Sequence, residues 1–278
     1  MRGSTLVRAS IGHFESLCNL PINVVGTCRL CLAAQVDLRA SHIVPEFFYR
    51  RVYTKSHKLA AISKDSNDRL AVEQNGYREH LLCQCCETKL SKWEGKLSQL
   101  INEISNDVYG SCTVKRIANV ISLSGIEYHS IKMAVLSIFW RMGIASHNLF
   151  FNYILGPYAE KLRLLLNNDI SPTRTEFPVL ISKGLIDGVF QTGILFPAGR
   201  GRYDNALILQ SVVLNGIVFD CVMTDTRTIP EEIVTFALDP AGHVMIPSRP
   251  YEELGFNVGE IAARMKSNHV TSFFARYN

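Results

Sequence analysis

The sequence predicts an α+β fold whose helices and strands are segregated along the chain. Three observations predict it. Two Cys-x-x-Cys pairs, Cys28 with Cys31 and Cys83 with Cys86, bracket a stretch of strand and turn signals. Apolar residues recur at helical spacing from Leu90 to Ile104 and again from Ile131 to Met142. Asn215-Gly216 joins two apolar, β-rich runs, the signal of a two-residue hairpin. The expected order is an N-terminal treble-clef module, a helical middle segment and a β-rich antiparallel C-terminal region.

The chain has 278 residues, 47% hydrophobic and 19% charged, which suffices for a substantial core in one large or two small domains. No run of 18 apolar residues occurs, and the most apolar window, 133–145, contains Arg141. No membrane-spanning helix and no membrane partner are therefore expected. The first residues lack the charged, apolar, small-residue order of a secretory signal. Eight cysteines without such a signal point to a reducing, cytoplasmic setting, where thiols bind metal more often than they pair. Residues 28–96 hold 12 Lys+Arg and 8 Asp+Glu, and the rest hold 17 of each, so the net +4 sits in the cysteine segment. Four thiolates on one zinc would offset about two units of it. Such a bias permits nucleic-acid binding without demonstrating it.

Residues 1–27 form a lead-in with one edge-strand signal, Leu20 to Val25, limited by Pro21. The module is expected over 28–108. Cys28-Arg29-Leu30-Cys31 forms a knuckle, Leu38 to Val44 a strand, and Pro45 to Tyr53 a short helix or turn. The polar stretch 64–76 ends in Asn75-Gly76, a turn signal, and Tyr77 to Leu82 is the returning strand. A helix from Glu87 to Asn106 follows, with Leu90, Trp93, Leu97, Leu100, Ile101 and Ile104 on its buried face. Residues 109–278 make a second α+β region. Its first part, 109–170, reads as helical, with helices over Tyr128 to Ser146 and Tyr158 to Leu166; Pro157 opens the second. Strands are expected over Gly184 to Phe196, Ala206 to Leu214, Ile217 to Met223, Ile233 to Leu238 and His243 to Ile246, then a helix over Phe256 to Met265.

The paired knuckles carry the strongest chemistry. Thiolates at this spacing chelate zinc, and a site of four cysteines is closed, so Cys28, Cys31, Cys83 and Cys86 are expected to brace the fold. Cys85 lies inside the second knuckle and is the alternative ligand there. Cys-x-x-Cys, a strand ending in Ser41-His42-Ile43-Val44-Pro45, then Leu81-Leu82-Cys83-x-x-Cys86 running into a helix, resembles the HNH endonuclease family over residues 28–95. The resemblance implies a zinc-braced ββα-metal fold and hydrolysis of phosphodiester bonds in DNA, or less readily RNA. It also suggests a bacterial anti-phage or mobile-element setting. By the same resemblance, His42 is the general base, and Glu87 stands where the family places a His or Asn holding Mg²⁺ or Mn²⁺. The family's middle Asn is absent; Arg78 stands at its place, and Glu79, His80 and Asn75 are the candidates to complete the site. Phosphodiester hydrolysis needs a base for water and a cation for developing charge, which an imidazole facing an acidic helix start supplies.

Each residue has a plainer reading. His42 also suits a hydrogen-bonding role beside a zinc site, and Glu87 suits a helix N-terminus. Lys89, Lys92 and Lys96 share a helix face that either follows phosphates or faces solvent. Gly199-Arg200-Gly201-Arg202-Tyr203 reads as an exposed basic turn. Arg141 requires a partner, for which Glu160 is a candidate, and His129 and His147 have no companion at ligand spacing. The alternative to a nuclease is a catalytically inactive zinc-braced module that binds nucleic acid or, through its C-terminal region, a protein or ligand. A subunit in which zinc serves only the fold is the third class.

Overall fold

A computed structural model describes residues 24–56, 58–61, 71–73, 76–151, 153–190, 192, 194–203, 207–224, 228–253 and 276. The lead-in edge strand up to Asn23, Asn75 and the closing helix over 256–265 lie outside the described residues.

The fold is α+β. Strand β1 (Val24–Gly26) pairs antiparallel with β2 (Val36–His42), and the first knuckle turns between them. The chain then forms α1 (Glu46–Tyr49), the small pair β3 (Leu59–Ala61) and β4 (Ala71–Glu73), and β5 (Arg78–Cys83), which returns antiparallel along β2. Gly76 must be glycine: its φ is +62°, and a Cβ there would lie 2.8 Å from the Tyr49 ring. Helix α2 (Gln84–Asn106) begins on the second knuckle, and its expected apolar stripe is buried in full. Each such side chain contributes about 1.5–3 kcal/mol of burial. Asp107, at φ +55°, ends the helix by donating its backbone N–H to Glu103.

The segment expected to be helical begins instead with a hairpin, β6 (Thr113–Ile117) and β7 (Val120–Ser124). Glu103 draws the chain into it by accepting the amides of Gly110 and Ser111. Helix α3 (Tyr128–Ile144) follows, buried continuously from Ser130 to Met142. A 3-10 turn (Asn148–Phe150) leads to α4 (Tyr158–Asn168). Then come β8 (Val179–Ile186), β9 (Val189–Phe190), β10 (Leu195–Tyr203), β11 (Leu207–Leu214), β12 (Ile217–Val222), α5 (Glu231–Phe236) and β13 (His243–Pro250). Asn215 and Gly216 both take positive φ, as the hairpin signal requires. The expected strand over Ile233 to Leu238 is helix α5 instead. Pro230 sets its start and Glu231 and Glu232 occupy its first turn, which outweighs the β-branched content.

One eight-stranded sheet runs β10-β11-β12-β8-β13-β7-β6, with β9 beside β8. It is not wholly antiparallel. Strand β13 pairs antiparallel with β7 and parallel with β8, and so joins the early hairpin to the late strands. Buried residues from Cys28 to Ile246 form a continuous core, and Phe48 of α1 meets Phe219 of β12 edge to face at 6.2 Å.

Two charges lie inside. Lys132 is fully buried and donates to the carbonyls of Phe177 (2.7 Å), Glu176 (3.1 Å) and Thr173 (3.5 Å); burial holds its pKa down to about 8. Arg141 is 2% exposed and pairs with Glu94 of α2, not with Glu160, which pairs with Arg163. Arg141 also donates to the backbone carbonyl of His42 at 2.8 Å, tying hairpin, α2 and α3 together. No helix among the described residues is long and apolar enough to cross a membrane.

Candidate functional site

The two ends of the β2–β5 hairpin hold different chemistry. At one end the knuckles bring Cys28, Cys31, Cys83 and Cys86 together, with ligand atoms all within 4.8 Å of one another. Leu32, at φ +63°, lets its amide reach back to the Cys28 carbonyl at 2.9 Å and closes the first knuckle. The Cys83 amide approaches the Cys28 sulfur at 3.4 Å. Tetrahedral zinc with Zn–S bonds of about 2.3 Å sets its sulfurs about 3.8 Å apart. The Cys31 and Cys83 sulfurs are 3.8 Å apart, so the donor set fits a metal ion such as zinc. Cys86 is buried in the cluster and Cys85 is exposed, as the Cys-x-x-Cys interval implies. Burial raises the Cys86 thiol; at Cys28 burial acts the same way, but amide donors outweigh it and lower the pKa to about 7. Helix α4 closes over this end: Arg163 donates to the Leu30 carbonyl at 2.7 Å, and Lys89 to the Asn167 carbonyl at 2.6 Å.

At the other end, His42 pairs across the hairpin with Arg78. This pair lies four residues from Leu38, which faces Cys83, or about 13 Å along the strand. Alternation divides the hairpin into two faces. Ser41 is buried, and Glu79 accepts the amides of Ser146 (2.9 Å) and His147 (2.9 Å), so that face anchors the loop after α3. His42, Arg78 and His80 share the opposite face, on which Arg78 and His80 are exposed.

His42 Nε2 has two neighbours of opposite character. Arg78 Nε donates to it at 2.8 Å, and Glu46 Oε2, at the start of α1, lies 2.6 Å away. One nitrogen cannot serve both in a single protonation state. As the neutral Nδ1–H tautomer, it accepts from Arg78 and leaves Glu46 Oε2 without a hydrogen bond, 3.5 Å from Arg78 Nη2. Protonated, it donates to Glu46. Burial, then Arg78, holds the His42 pKa below the ordinary imidazole value, while Glu46 opposes them. Glu46 was legible only as the residue four positions after His42; its role appears once α1 folds against the hairpin.

The other expected residues are dispersed. Glu87 lies in the first turn of α2 beside Cys86, with Oε1 buried and unbonded. The α2 carboxylate linked to His42 is instead Glu94, two turns on, through Arg141. Of the lysine face, Lys89 caps α4, Lys96 pairs with Glu127 at 3.1 Å, and Lys92 is exposed. The segment 199–203 is not a turn but part of β10, where Tyr203 donates to Glu232. No family model, curated protein or solved structure matches the chain.

Proposed function

We propose that the protein is a metal-dependent nuclease whose hairpin is braced by zinc at one end and carries its base, His42, at the other. Knuckle, hairpin, knuckle and helix in that order fit a treble clef, and four sulfurs at zinc spacing fit a structural ion. The observation that carries the reading is the pair of partners on His42 Nε2, Arg78 suited to the bare nitrogen and Glu46 to the protonated one. A phosphate bound at the open face would draw the Arg78 guanidinium to its oxygens. Nε2 would then be free to take a proton from the attacking water, and Glu46 would receive the imidazolium formed. His80 is exposed on the same face as His42, which supports it as a substrate-contacting residue. Glu46, beside His42, is chemically suited to hold Mg²⁺ or Mn²⁺, which would neutralise charge on the phosphate oxygens, whereas Glu87 stands with the cysteines at the other end of the hairpin. DNA is the preferred substrate, and RNA the second.

A second reading has its own support. Lys89 and Lys96 are already engaged, which leaves less of the α2 face for a phosphate track. A catalytically silent zinc-braced module that binds nucleic acid or a protein partner would tolerate this.

The test is cleavage of plasmid DNA and of RNA with Mg²⁺ or Mn²⁺, comparing the wild type with H42A after each is shown to hold one zinc. Cleavage that is lost in H42A supports the nuclease. Salt-sensitive binding without cleavage supports the silent module, and cleavage that persists in H42A removes His42 from the mechanism.

A further inference from the structure

A second constellation lies between α3 and α4, away from the hairpin. His129 Nε2 lies 2.8 Å from Asp169 Oδ1, and His129 Nδ1 lies 2.7 Å from Ser171 Oγ. The proton positions follow from the partners. In the neutral imidazole with Nε2–H donating to the carboxylate, Nδ1 has the lone pair, and the Ser171 hydroxyl donates to it. We propose that Ser171 is a nucleophile activated by His129, with Asp169 as the positioning residue, and that the site hydrolyses small carboxylic esters.

The surroundings fix this geometry. Asp169, at φ +58°, is the left-handed cap of α4. Just past Ser171, the Tyr128 hydroxyl donates to the Pro172 carbonyl at 2.7 Å, and buried Lys132 holds the carbonyls of 173, 176 and 177. The loop bearing Ser171 is thus fastened to the same first turns of α3 that carry His129. The Trp93 ring stands edge-on to the imidazole at 6.1 Å. The ring is used in the reverse sense to serine proteases, where Nε2 faces the hydroxyl, but the hydrogen-bond order of nucleophile, base and carboxylate is the same. The His129 and Asp169 side chains are 40% and 54% exposed, so a small ester reaches the site directly from solvent.

In the reaction, Ser171 Oγ bonds to the ester carbonyl carbon as its proton passes to His129 Nδ1. The C–O bond to the alcohol breaks, and the alcohol leaves with that proton. Water, giving a proton to Nδ1, then attacks the acyl-serine; the acid departs and Ser171 regains its proton.

The test uses the full chain with p-nitrophenyl acetate and with a fluorophosphonate. Expected are a fluorophosphonate adduct on the peptide containing Ser171 and a fall in hydrolysis of roughly 100-fold or more in S171A and H129Q. D169N should lower kcat while leaving KM unchanged. No adduct on Ser171 in the wild type, or S171A hydrolysing as fast as the wild type, overturns the proposal. Labelling of the unmutated chain decides the matter should a variant fail to fold.

Discussion

The two ends of one hairpin use opposite strategies. The knuckle end gathers four identical soft donors, largely shielded from water. Its geometry is set by two short intervals in sequence. The His42 end gathers an imidazole, a carboxylate and a guanidinium from three elements on an open face. The closed end is a donor set that a single metal ion such as zinc would satisfy, while the open end keeps a nitrogen with two competing partners.

The strongest way to break this contrast is at the closed end. C86A should bind less than one zinc by metal analysis and unfold roughly 10 °C or more below the wild type, because a structural zinc contributes folding energy outright. A stable, zinc-free C86A would mean that the knuckles stand without metal.

The next largest effect lies between the ends. E94L leaves the Arg141 charge buried without its carboxylate, so urea denaturation should show a loss of about 3–5 kcal/mol. The double variant E94L/R141M should lose less than E94L alone, since the buried guanidinium is no longer left without a carboxylate.

The smallest and sharpest effect is at the open end. E46Q removes the group that favours the imidazolium, so the His42 pKa should fall further; R78Q should raise it, as read by NMR titration of the ring. The sign carries over to stability. The folded state resists protonating His42, so this group's contribution is complete above the unfolded imidazole pKa and declines as pH falls through and below it. E46Q should steepen that decline and R78Q flatten it. Shifts of the same sign in both variants would show that the two partners do not compete.

What could be read in advance was whatever is encoded at short range. The cysteine intervals, the Leu90-to-Ile104 stripe and Asn215-Gly216 each name their structure within a few residues. Hairpin β6–β7 was missed because its turn uses Ala118 at φ +50°, where a glycine or asparagine signal would be expected. Glu94 as the partner of Arg141 depends on how α2 crosses α3, which no local pattern states. His129 lacked a companion in sequence, yet its partners arrive from 40 and 42 residues downstream.

Strand β13 has a consequence for the order in which the protein can be made. It fills the slot between β7 and β8, and His243 faces Ser124 across the ladder. The hairpin β6–β7 leaves the ribosome with that edge open, and its closing strand follows more than a hundred residues later. At about 5–20 residues per second, the gap is on the order of ten seconds. Through that interval the nascent chain carries an unpaired strand edge, the feature that invites pairing with other chains. Delays in translation between residues 124 and 243 should therefore favour aggregates over native protein, however stable the finished sheet is.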